Sequence, residues 1–81
     1  MTNISIIGIM VDARTKTAPD VQEVLTNYGD NILSRLGIHD PGEKDRGLIT
    51  ITFTGDEDRL QRLIDQLSAI NGVTAKAVRL D

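Results

Sequence analysis

Hydrophobic and polar positions along this chain follow one order of patterns twice. Ile4 to Val11 is an apolar run, Val21 to Tyr28 carries apolar residues at helical spacing and meets Gly29, and Ile32 to Ile38 is a second extended run. Leu48 to Phe53, Leu60 to Ile70, Gly72 and Val73 to Leu80 repeat that order. A period near two marks a strand and a period near 3.6 marks a helix, so the pattern predicts a β-α-β unit followed by another.

The first run is apolar on both faces, with Ile4, Ile6 and Met10 on one side and Ile7, Ile9 and Val11 on the other. Such a strand belongs in the middle of its sheet. In Leu48 to Thr54, Ile49, Ile51 and Phe53 share one face while Thr50, Thr52 and Thr54 share the other, as in a strand with one wetter side. Strong first and third strands fit one α+β domain spanning residues 1–81. The expected architecture is a ferredoxin-like βαββαβ sandwich: a four-stranded antiparallel sheet in the order 4-1-3-2 with two helices on one face.

The first helix is expected to begin near Thr17 to Asp20, with Thr17 as cap, Pro19 in the first turn, and Asp20 and Glu23 near the positive end of the dipole. Ala18, Val21, Val24, Leu25 and Tyr28 form its inward face, and Gly29 ends it. The second helix opens on a capping-box signature, Thr54-Gly55-Asp56-Glu57, and buries Leu60, Leu63, Ile64, Leu67 and Ile70 before Asn71-Gly72. His39 to Gly47 reads as a hairpin loop around Pro41-Gly42.

Two helices cover only one face of a four-stranded sheet. The doubly apolar first strand therefore leaves Ile7, Ile9 and Val11, or alternatively Ile4, Ile6 and Met10, uncovered in a monomer, and an exposed apolar patch of that kind marks an interface. A homo-oligomer is expected, a dimer or a tetramer, joined sheet face to sheet face or edge to edge. Arg35, a charge inside an apolar segment, is a candidate to steady that boundary.

Composition narrows the chemistry. A chain of 81 residues buries roughly 60 to 65% of its unfolded surface, so its core is thin and self-association would help. There is no cysteine, which removes disulfides, thiolate metal sites and thiol nucleophiles together. No apolar run approaches the roughly 18 to 20 residues of a membrane span, and the N-terminus lacks signal-peptide features; the expected location is the cytoplasm. The formal charge is −3 and the nine basic residues are dispersed, which argues against direct nucleic-acid binding. Phe53 is the only strand aromatic, too few to stack RNA bases.

Several residues invite a chemical role. His39 beside Asp40 could ligate a metal or act as a base with its orienting carboxylate, although a histidine-metal site needs three or four converging ligands and a lone loop histidine is more often solvated. Symmetry in an oligomer could gather several copies. Asp12, Arg14, Lys16 and Thr17 surround the start of the first helix, where free N–H groups and two cations could hold a carboxylate or phosphate. An acylphosphatase of this fold would need a glycine-rich turn and a catalytic asparagine, and neither stands at a suitable place. Asp56, Glu57 and Asp58 are explained by cap and dipole energetics, at about 0.3 to 1 kcal/mol each.

Propensity explains least at Tyr28-Gly29-Asp30-Asn31-Ile32-Leu33-Ser34-Arg35-Leu36-Gly37-Ile38, which is polar for a strand entering a sheet. This segment resembles the iron-only hydrogenase system regulators, small ACT-like proteins related in fold to the metal-sensing C-terminal domain of the nickel-responsive repressor. Members carry Y-G-D-x-I-x-x-R-M-G-I/L, with Leu36 here in place of methionine, and a helix ending like Leu63 to Leu67, Ile70, Gly72-Val73, then Lys76. The similarity runs over nearly the whole chain. Departures are His39 where members often have proline, and Asp65-Gln66-Leu67-Ser68 where they have glycine-lysine-leucine-glycine. The repressor's histidine and cysteine ligand set is not reproduced, with one histidine and no cysteine here, and no DNA-binding arm is expected of these residues.

The resemblance implies an oligomeric sensor-like or partner-binding module associated with hydrogenase maturation or its control, and the leading expectation is a non-enzymatic, ACT-like homo-oligomer without cofactor that binds a small anion or amino acid at a subunit boundary. Asp12, Arg14, Lys16 and Thr17 would line that site. The alternatives are a metal-responsive protein using His39 with carboxylates from neighbouring subunits, and an assembly factor without ligand.

Overall fold

Residues 3–12, 14–39 and 45–81 are described by a computed structural model of the protein. Strand β1 spans Ile4–Val11, helix α1 Arg14–Asn27, strand β2 Ile32–His39, strand β3 Gly47–Thr54, helix α2 Glu57–Ser68 and strand β4 Val73–Arg79. A short 3-10 turn, Gly29–Asn31, joins α1 to β2. The strands form one antiparallel sheet in the order β2-β3-β1-β4, the ferredoxin-like arrangement expected from the pattern.

Register decides which side of β1 is buried. Ile7 pairs with Ile51 and Ile9 with Ile49, so the isoleucines of both central strands, with Phe53, point at the helices. Ile7, Ile9, Ile51 and Phe53 are wholly buried and pack with Val21, Leu25, Leu63 and Leu67 from the two helices. Burying one such side chain contributes about 1.5 to 3 kcal/mol, so this cluster is the core of the domain. Ile7, Ile9 and Val11 are therefore not the uncovered surface that the doubly apolar strand suggested. The alternative face, Ile4, Ile6 and Met10, is the outer one, where Ile4 and Ile6 stand opposite Thr54 and Thr52 and Met10 opposite Leu48.

Four local expectations need correcting. Helix α1 starts at Arg14, and Pro19 stands inside it. Thr17 does not cap the helix; its hydroxyl donates to the Asp12 carbonyl at 3.0 Å. Helix α2 is capped by Asp56, whose carboxylate accepts from the Arg59 N–H at 2.8 Å, but Arg59 occupies the place where a reciprocal box needs Glu or Gln. His39 ends β2 opposite Gly47 rather than lying in the loop, while Asp40 falls outside the described residues.

Ser5 lies on the inner face opposite Phe53 and Arg79, and its hydroxyl is the one buried side-chain polar atom without a hydrogen-bond partner among the described residues. Ser5→Ala removes a desolvated hydroxyl at nearly constant shape, so the variant is expected to gain up to about 1 kcal/mol in urea unfolding. A measurable loss of stability would show that the hydroxyl has a partner. No helix among the described residues is long and apolar enough to cross a membrane.

Candidate functional site

The two helices do not share the sheet evenly. Helix α2 packs over β4 and α1 against β1. Edge strand β2 is left uncovered on its inner side, with every residue from Leu33 to His39 exposed. Alternation places Arg35, Gly37 and His39 on that inner side, opposite Ile51, Ile49 and Gly47. A cavity of about 290 Å³ opens there between β2 and the first half of α1.

Its floor is apolar: Val11 from β1, Ile49 from β3, and Ala18 and Val21 from successive turns of α1. Gly37 and Gly47 add backbone without side chains. A Cβ built on Gly37 would meet nothing within 4 Å, so the missing side chain at this position is part of what keeps the cavity open. Gln22, Arg35 and His39 supply its polar groups. The Arg35 guanidinium donates to the Gln22 side-chain carbonyl at 2.7 Å, which ties the strand to the helix across the cavity. A guanidinium carries five N–H donors, so this bond orients the group without exhausting it.

Only part of the expected site is brought together. Asp12 and Thr17 are linked to each other through the Asp12 carbonyl, and the Asp12 N–H donates to the Gly72 carbonyl at 2.8 Å. Lys16 is exposed, and none of these residues lines the cavity. Arg14 is the first residue of α1, and the role expected of its side chain lies outside the described residues. Arg35, considered from the sequence for an interface, and His39, considered as an alternative metal ligand, both line this cavity. Gln22 and Gly37 were missed, although period-two alternation from Arg35 through Gly37 to His39 was a signal for the shared face. No group of three or more His, Cys, Asp or Glu gathers among the described residues, so a metal site at His39 is not built within the described part of one protomer.

The Tyr28 to Asn31 part of the unusual segment proves to be a clasp. Tyr28 is buried, and its hydroxyl accepts from the Gln66 amide at 2.9 Å. Arg59 lies 4.5 Å from the centre of the Tyr28 ring and donates through Nε to Asn31 at 2.7 Å. Asn31 in turn donates to the Thr54 carbonyl at 2.9 Å. The end of α1, the start of α2 and the end of β3 are thus tied through three residue types that plain propensity would not place there. Gln66, one of the departures noted above, is one of the ties. The acids at the start of α2 are also engaged structurally, Asp56 as cap and Glu57 with Arg79 at 3.2 Å.

No functionally curated protein matches the chain. Among solved structures, the fold is shared with the C-terminal domain of the MgtC protein from Mycobacterium tuberculosis, at TM-score 0.66 and 18% identity over 96% of this chain and 87% of that one. It is shared also with a formyltetrahydrofolate deformylase from Pseudomonas putida KT2440, at TM-score 0.64 and 16% identity over 94% of this chain but 28% of that one. A much nearer likeness is the uncharacterized protein TM1266 from Thermotoga maritima, at TM-score 0.89 and 32% identity, with 98% of each chain covered. Residues 3–77 match the model of the TM1266-like family, described as "Iron-only hydrogenase system regulator, putative", and the chain belongs to that family.

Proposed function

We propose that the chain is a non-enzymatic, ACT-like regulatory module of an iron-only hydrogenase system, working as a homo-oligomer and responding to a small anion or amino acid. The observation that carries this reading is the outer face of the sheet. Met10, Leu36, Ile38, Leu48 and Val78 are large apolar residues that stand exposed on it. Cross-strand rows join them: Ile38, Leu48, Met10 and Thr74 in one, Leu36, Thr50, Gly8 and Lys76 in the next, then Ser34, Thr52, Ile6 and Val78. Lys76 is the single charge on these rows, in a chain that is 26% charged.

Four strands about 4.8 Å apart and about eight residues long make a face of roughly 500 Å² in plan, comparable in scale with the roughly 800 Å² that each partner gives to a stable interface. The same face of a second copy carries the same exposed apolar side chains, with Lys76 in its rows and the Arg46 guanidinium 3.9 Å from the Met10 sulfur, and suits an isologous sheet-on-sheet contact. Regulation then follows from linkage, since a ligand that binds one assembly state better than another shifts the balance between them. Sedimentation equilibrium at tens of micromolar is expected to give a dimer or tetramer. A monomer under those conditions would remove the reading.

A further inference from the structure

We infer that the cavity between α1 and β2 is a binding site for a small aliphatic monocarboxylate, with Arg35 as the group that recognises the carboxylate. The inference deepens the regulatory reading and rests on it for its biological meaning, but the chemistry stands on the pocket itself.

Charge is the first argument. The chain carries a net −3, yet no carboxylate lines this cavity among the described residues, and its polar groups are a guanidinium, an imidazole and an amide. That set donates hydrogen bonds to an anion and gives an ammonium group no counter-charge. Arg35 is held in place by Gln22, and a guanidinium pairs with a carboxylate through two parallel N–H bonds.

Shape and polarity select the rest of the ligand. The floor of Val11, Ala18, Val21 and Ile49 offers an apolar bed that inorganic phosphate could not use. A volume near 290 Å³ corresponds to about ten water-sized units, so the ligand has up to about ten non-hydrogen atoms. The open space above Gly37 lies between Arg35 and His39 on the same face of β2, the place for the carbon chain of a ligand whose carboxylate meets Arg35.

The test is an NMR titration of the 15N-labelled full chain at fixed ionic strength with isovalerate, isoamylamine and inorganic phosphate, repeated on Arg35→Gln and Gly37→Leu. Both substitutions fall at exposed positions of the edge strand, and Leu at 37 has room, so the variants should fold and their spectra will show it. Isovalerate is expected to shift the amides around Val21, Gly37 and Ile49 saturably, and isoamylamine to leave them in place. Arg35→Gln should weaken isovalerate about tenfold or more, and Gly37→Leu should abolish the shifts by filling the cavity. Isoamylamine binding as well as isovalerate, undiminished binding by folded Arg35→Gln, or no saturable shift up to about 20 mM would each overturn the assignment. Phosphate shifting the same amides as tightly as isovalerate would overturn the apolar half of it. Sedimentation of the same samples separates the two readings. An assembled protein that ignores carboxylates refutes the pocket alone, and a monomer that binds them refutes the assembly alone.

Discussion

If the chain assembles through its outer face as proposed, replacing Leu36 with aspartate, or separately with lysine, is expected to weaken that assembly about hundredfold or more, equivalent to roughly 2.8 kcal/mol, while leaving each chain folded. Leu36 is 68% exposed in the single chain, so the core does not depend on it. It stands on edge strand β2, in the middle one of the three outer-face rows, with Thr50, Gly8 and Lys76. A charge there would be stripped of water when two faces meet, and an uncompensated buried charge costs several kcal/mol. Using both signs matters because Lys76 of a second copy could offset an aspartate but not a lysine. Leu36→Met, similar in volume and apolar, should keep the assembly. Sedimentation equilibrium with circular dichroism on the same samples checks all three, and assembly that survives both charges would mean that this face is not the contact.

Gly55→Ala is expected to cost about 1 to 3 kcal/mol of stability, lowering Tm by roughly 4 to 8 °C for each kcal/mol. Nothing in the backbone of Gly55 requires glycine, so the objection is steric. A Cβ there would lie 2.9 Å from Phe53 Cε1 and 3.1 Å from Asn31 Nδ2. The Phe53 ring is wholly buried and cannot swing aside cheaply. Asn31 is the middle of the clasp, donating to the Thr54 carbonyl and accepting from Arg59. One of the two must yield, and a double-mutant cycle with Asn31→Ala tells which. Coupling between the substitutions places the strain on the clasp, and additivity places it on the ring. An unchanged Tm for Gly55→Ala would mean that neither contact resists.

The sheet order and the helix faces were legible because burial imposes period. Every residue of the expected α2 stripe is buried or packed against the core, and β1 has the limits that its apolar run suggested. What the alternation of β1 left open was its direction, since both of its faces are apolar. The decision lay in β3, whose isoleucines and threonines separate cleanly, and pairing Ile7 with Ile51 carries that choice across to β1. The start of α1 was misplaced for a local reason. Thr17 and Pro19 look like the opening of a helix, whereas the Thr17 hydroxyl reaches back to Asp12 and the chain enters the helix at Arg14. The pocket was the least legible feature. It depends on how far the helices sit toward β4 and β1, a lateral choice that no residue pattern within one element records. Its polar residues were visible individually, with Arg35 and His39 singled out for other work.

The position of β2 has a consequence for motion. Within the described protomer it pairs with β3 alone, its register is interrupted between Ile32 and Ser34, and its side chains from Leu33 onward are exposed. Elements with few buried contacts open at the lowest free energies, well below global unfolding. In the single chain, the wall of the pocket is therefore expected to open more readily than the central strands β1 and β3. A ligand bridging Arg35 to the floor on β1 and β3 would slow that release, and occupancy would be written in the hydrogen-exchange rates of β2 before any change of shape.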